Sequence, residues 1–176
     1  MCLTLTAFDP EVCGDNPGGL AQVWAIAKKD IANFPTDFKM TGTTAAPIML
    51  LPGKVFVPIG FMADHAGYDA KMVGEPGNNS VEQSVKIMIP GYSPEHIATF
   101  MALMGNGVVL AAEDLQGQSK YGLIIFGTKL RPLYADIDHK GGMKYTDKRE
   151  NTLTFKGGMG NFPFFYTAPL PSALVR

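Results

Sequence analysis

The sequence predicts a mainly β (α+β) fold, a β-sandwich or partial barrel with one flanking α-helix at about 93–104. Three observations carry that expectation. The 176 residues include 20 glycines and 13 prolines spread along the whole chain, punctuation that suits short strands and turns better than a helical bundle. Val81, Gln83, Val85, Ile87 and Ile89 alternate with Glu82, Ser84, Lys86 and Met88, the period of a strand with one buried and one polar face. Ile97, Phe100, Met101 and Met104 recur at i, i+3, i+4 and i+7, the apolar stripe of a single amphipathic helix.

Taken in order, Asn16-Pro17-Gly18-Gly19 is a strong turn signal. The segment 20–27 admits two patterns: Leu20, Val23, Trp24 and Ala27 fit a helix, whereas Leu20, Trp24 and Ile26 share one face of a strand. Residues 34–53 hold three prolines and the run Thr41-Gly42-Thr43-Thr44. They read as a long loop, and loops of that length are usually functional or interactive, so Thr43 and Thr44 are candidate interface residues. Val55 to Ile59 reads as a short strand that Pro58 confines to a sheet edge. Residues 74–79 (GEPGNN) form another turn cluster ahead of the alternating strand.

The helix has its own start and stop signals. Ser93 suits the N-cap, Pro94 the first helical position, and Glu95 the positive helix end. Gly105 suits a left-handed termination, so the helix is expected to lay Ile97, Phe100, Met101 and Met104 on a sheet. Gly107 to Ala112 and Tyr121 to Phe126 are near-continuous apolar runs around a turn containing Gly117, a hairpin with both faces buried. Lys129 to Ala135 reads as a third strand with Pro132 marking an edge, and Thr152 to Phe155 as a closing strand. The remainder, 157–176, reads as a C-terminal arm whose prolines oppose regular pairing. Its aromatics Phe162, Phe164, Phe165 and Tyr166 are expected to dock on a groove of this subunit or the next.

Composition narrows the function classes. The formal charge is −1 and only 18% of residues are charged, below the roughly 25% of an average globular chain. Such a surface suits burial against partners. It does not supply the basic stripe of a general nucleic-acid binder, and the five basic against two acidic groups of 141–176 read as a solvated face. Cys2 and Cys13 have no neighbouring ligands for a zinc site; they read as free or buried thiols, with a disulfide closing the short loop as the alternative, and are expected to be dispensable for assembly and folding. Neither a secretory leader nor an apolar run of membrane-spanning length is legible, so the chain is expected in a cytoplasm.

Catalytic patterns fail one by one. Asp64-His65 and Asp136-Ile137-Asp138-His139 lack partners at ligand spacing and read as polar turns. Residues 14–19 are Gly-rich without the Lys-Ser/Thr of a phosphate loop. No Gly-x-Ser-x-Gly elbow occurs. Glu113 and Asp114 are adjacent, which in a strand places them on opposite faces. The expectation is therefore a non-enzyme with no catalytic, cofactor or metal site.

The order of these features resembles a known family. Gly18-Gly19 before Leu20 to Ile26, Asp30-Ile31, Asn78-Asn79-Ser80 before Val81 to Ile89, His96 to Met104, the hairpin from Gly107 to Gly127, and Thr152 to Phe155 look like the small tail and virion structural proteins of phages and prophages of Bacteroidetes, placed with the phage tail-tube fold. The resemblance covers about two thirds of the chain. It implies one domain over 1–176, homo-oligomers in hexameric rings stacked into a tube, other tail proteins as partners, and DNA in passage only. Glu82, Ser84 and Lys86 would then face the lumen, and the location would be the virion tail after assembly in the host cytoplasm. Other readings are a monomeric or dimeric β-sandwich module binding carbohydrate or peptide, or another tail or neck component.

Overall fold

In the computed structural model, residues 18–62, 64–75, 77–115, 122–141 and 149–171 are described. Cys2, Cys13, Asn16, Pro17 and the turn around Gly117 lie outside them. The elements in chain order are β1 (Leu20–Ala27), β2 (Ile31–Asn33), α1 (Phe38–Thr41), β3 (Thr43–Thr44), β4 (Met49–Leu50), β5 (Val57–Ile59), β6 (Ala66–Glu75), β7 (Asn78–Pro90), α2 (Pro94–Leu103), β8 (Val108–Asp114), β9 (Leu123–Phe126), β10 (Tyr134–Lys140), β11 (Glu150–Met159) and β12 (Phe164–Tyr166). The protein is mainly β, and α2 is its one helix longer than a single turn among the described residues.

Two patterns of apolarity build two kinds of sheet. The continuous runs enter a six-stranded sheet of order β3-β12-β9-β8-β1-β5. Every residue from Val108 to Ala112 is buried, because both faces of this sheet are covered. Val108, Leu110, Ala112, Ile124 and Phe126 face one core, while Val109, Ala111 and Ile125 face a second. The alternating strands enter a four-stranded antiparallel sheet of order β10-β11-β7-β6. Its inner row, including Val85, Ile87, Leu153 and Phe155, closes the first core against the six-stranded sheet, and Phe100 of α2 joins it. Among the described residues the opposite face has no backing layer: Glu82, Lys86, Asp69 and Lys71 on it are exposed.

The segment 20–27 is a strand. Its face assignment differs from the expectation, because the register shifts between Leu20 and Gln22. This bulge puts Leu20 with Val23 in the first core and leaves Trp24 with Ile26 on the second. Residues 34–53 are not one long loop. They fold into α1, β3 and β4, and with Phe34 and Ile48 they cover the outer face of the six-stranded sheet. The stacked rings of Phe38 and Phe164, 3.9 Å between centroids, anchor this cover.

Four further expectations are corrected. Lys129 to Ala135 is not a strand: Leu133 makes an isolated bridge with Val108, and the strand is β10, Tyr134–Lys140. Asp136 to His139, read as a turn, lies within it. The described part of the expected arm, 157–171, is not an arm. Residues 157–159 complete β11, and Phe164–Tyr166 is inserted between β9 and β3, because three residues free of proline are enough to pair. The helix begins as expected, with Ser93 Oγ accepting the His96 N–H at 3.3 Å and Gly105 left-handed at φ 70°. Its stripe does not hold: Phe100 alone is buried, while Ile97, Met101 and Met104 are exposed, Met101 at 64%.

Candidate assembly surfaces

The two sheets differ in how their edges end. The six-stranded sheet ends on β3, two residues long, and on β5, three residues long with Pro58 inside it. Short, proline-blocked edges of that kind resist pairing with other chains. The four-stranded sheet ends on β6 and β10, ten and seven residues, with no proline in either. β6 also carries apolar side chains on its inner row that its own chain leaves half covered: Tyr68 is 40% exposed and Met72 54%. Tyr68 packs its ring on Phe126 at 5.1 Å. Burial, with a smaller contribution from the Asp114 charge, raises its phenol above the ordinary range.

The outer face of this sheet is built from the polar half of each alternation. Cross-strand register aligns Asp136, Thr154, Lys86 and Gly67 in one row, and Tyr134, Lys156, Ser84 and Asp69 in the next. Lys71 lies opposite Glu82. Small hydroxyls and glycines thus separate charges of both signs, and Lys156 pairs with Asp136 across β10 and β11 at 3.8 Å. Glu82 and Lys86 are exposed and Ser84 half-buried, the solvent face that the period of two predicts.

The expected interface aromatics separate. Phe164 and Tyr166 are buried in the second core, and the Tyr166 hydroxyl accepts the Ile48 N–H at 3.0 Å. Phe165 is half-buried against the first core. Phe162, 49% exposed, stays available to a partner. Thr44 is buried, with its hydroxyl donating to Asp37 and accepting the Ala46 N–H. Thr43 pairs with Phe165 in the parallel β3–β12 ladder. These two threonines are therefore structural, and burial removes Phe164, Tyr166 and Thr44 from the candidate surface.

The remaining polar groups include paired ones and one that is orphaned. Asn151 donates to the carbonyls of Ile89 and Gly91, so its oxygen faces the His139 ring at 2.7 Å. A carbonyl oxygen only accepts, which places the proton on His139 Nδ1. Tyr92 stacks on the same ring at 4.1 Å. Glu95, fully exposed, has its carboxyl held below the usual range by a hydrogen bond from Ser93. A cleft of about 590 Å³ runs between α2 and the β1–β5 edge, lined by Phe100, Leu103, Ile59 and His96. His96 Nδ1 is buried there without a hydrogen bond. Among the described residues no three His, Cys, Asp or Glu side chains converge as metal ligands, and no helix is long and apolar enough to cross a membrane.

Sequence reasoning missed β6, the edge strand that matters most. Its alternation of Tyr68, Ala70 and Met72 with Asp69, Lys71 and Val73 is present but blurred by Gly67 and Gly74. Comparison of the chain with protein-family models, curated proteins and solved structures finds no match.

Proposed function

We propose that the chain is a non-catalytic structural subunit that closes into a ring of identical copies, and that such rings stack as a phage tail tube through which DNA passes. The observation that carries this reading is the pair of long open edges, β6 and β10, on a sheet with one unbacked polar face. The sheet has four strands, all antiparallel. β6 and β10 therefore run in opposite directions. A copy placed beside β6 with its own β10 continues the antiparallel alternation and keeps the same face inward.

One register suits both rows of side chains. Setting Asp138 of one copy opposite Lys71 of the next puts Lys140 opposite Asp69 and Asp136 opposite Val73. The same register brings Ile137 over the half-exposed Met72. Opposite charges directly across strands contribute roughly 0.2–1 kcal/mol each, and covering Met72 adds apolar burial. Repetition of this head-to-tail contact closes into a ring and leaves no free edge.

The unbacked face then lines the lumen, with Glu82, Ser84 and Lys86 among its residues. Mixed charges and hydroxyls would wet DNA without the concentrated positive charge that holds phosphates. The resemblance to tail-tube proteins supports the same reading with hexameric rings and other tail proteins as partners. Size-exclusion chromatography with light scattering, followed by negative-stain imaging, tests it. Annular particles of one defined mass are expected, and a chain that stays monomeric at high concentration contradicts it.

A further inference from the structure

One end of the molecule carries a cationic groove. It is enclosed by α1 and the turns after β9 and β11 and holds about 720 Å³. Its walls carry Lys39, Lys129 and Arg131 and no carboxylate, beside the Phe34 ring and Asn161. Lys129 Nζ donates to the Ala32 carbonyl at 2.7 Å, which fixes one cation at the rim. The ion pairs among the described residues are Lys54–Asp30 and Lys156–Asp136, so all three groove cations lack a carboxylate partner there.

The chain enters β1 at the other end. Gly19 sits against Leu115 and the Ala66 carbonyl, where β6 begins. The groove residue Gly160 follows Met159, whose row crosses Val81 to Met72. Met72 is six residues along β6 from Ala66, about 20 Å at strand rise. Residues 1–17, which precede this entrance, hold Asp9, Glu11 and Asp15 and no lysine or arginine, together with Leu3, Leu5, Phe8 and Val12.

We infer that the cationic groove receives residues 1–17 of a second copy stacked end to end, an inference that rests on the ring reading above. Charge complementarity selects this occupant: three carboxylates on an apolar segment meet three cations beside an aromatic wall. Chain length separates the carboxylates: Glu11 and Asp9 could span the distance of about 20 Å within one chain, but Asp15, three residues from Gly18, reaches about 10 Å at most, so all three meet the groove together only from a second copy. In a stack, the end that emits the segment faces the end that carries the groove, and every subunit both gives and receives. Rings thereby join axially, while the β6–β10 contact joins subunits within a ring.

The test compares four full-length chains: the parent, Lys39→Glu with Arg131→Glu, Asp9→Lys with Glu11→Lys and Asp15→Lys, and the five changes combined. Lys129 is left intact because its hydrogen bond holds the rim. Sedimentation and negative-stain imaging read the number of rings per particle, and thermal melting reads the fold. Each reversal alone is expected to leave single rings, with the stacked fraction reduced at least tenfold, and the combination to restore stacks. At 1 M salt, where the Debye length is about 3 Å, the parent should also fall to single rings. Stacking by either single reversal at the parental level overturns the inference and leaves the ring reading standing. Loss of stacking by the groove variant without restoration in the combination, at unchanged melting, assigns the groove to another occupant and also overturns it. A groove variant that loses its cooperative melt is replaced by Lys39→Gln with Arg131→Gln, for which loss of stacking at unchanged melting is expected and stacking at the parental level overturns the inference. A parent that forms no ring overturns both readings.

Discussion

Gln83 stands on the inner row of β7 between Val81 and Val85, yet its amide is satisfied at both ends. Nε2 donates to the Asn161 carbonyl at 2.9 Å and Oε1 accepts the Gly127 N–H at 3.1 Å. One side chain thus ties the four-stranded sheet to the ends of β9 and β11. Gln83→Leu keeps the apolar bulk but orphans both backbone groups, at about 1–3 kcal/mol each. Chemical denaturation should show a lowered midpoint with unchanged slope, and an unchanged midpoint would mean that water replaces both bonds. On α2 the contrast lies between neighbours. Phe100→Ala removes the helix's buried anchor and should cost about 3–5 kcal/mol, whereas Met101→Ser, at an exposed position, should stay within about 0.5 kcal/mol. Equal midpoints for the two variants would show that the helix is not held through Phe100.

At the scale of elements, β12 is the part whose role changes most. Phe164–Tyr166 lies between β9 and β3, and its two buried rings complete the second core. Truncation after Lys156 should therefore abolish cooperative unfolding, read by circular dichroism and a thermal melt. A folded, cooperative truncated chain would return the segment to the status of an arm. How far the elements were legible follows from contrast along the sequence. β7 and the β8–β9 pair have either strict alternation or unbroken apolarity, and their patterns survive intact, whereas α2 keeps only its start and stop signals. β12 hides between Pro163 and Pro169, which suggest an unpaired tail, although neither proline falls inside the three paired residues. The α2 stripe has the correct period but an unreadable partner, because only the fold reveals that Phe100 points at the core and Met101 does not. The assembly surface was half legible: alternation marks Glu82, Ser84 and Lys86 as a polar face, but no local pattern reveals that β6 and β10 end a sheet. Edge status is a property of topology, not of the ten residues that occupy it.

For the whole molecule, the two sheets divide the work. The six-stranded sheet is covered on both faces and ends on short or proline-containing strands, so its surfaces are spent within the chain. The four-stranded sheet has one face in the core and, among the described residues, leaves its long edges and polar face uncovered. Ring closure through β6 and β10 is the central claim, and a disulfide measures it directly. Within one chain, β6 and β10 are separated by β11 and β7, about 14 Å at the usual strand spacing. A disulfide needs Cα atoms within about 7 Å, so Val73→Cys and Asp136→Cys cannot bridge inside a subunit. In a chain also carrying Cys2→Ser and Cys13→Ser, mild oxidation followed by a non-reducing denaturing gel should give a covalent ladder that rises past the dimer and ends at the ring size. A gel showing monomer alone, or dimer and nothing larger, would contradict head-to-tail closure through these edges.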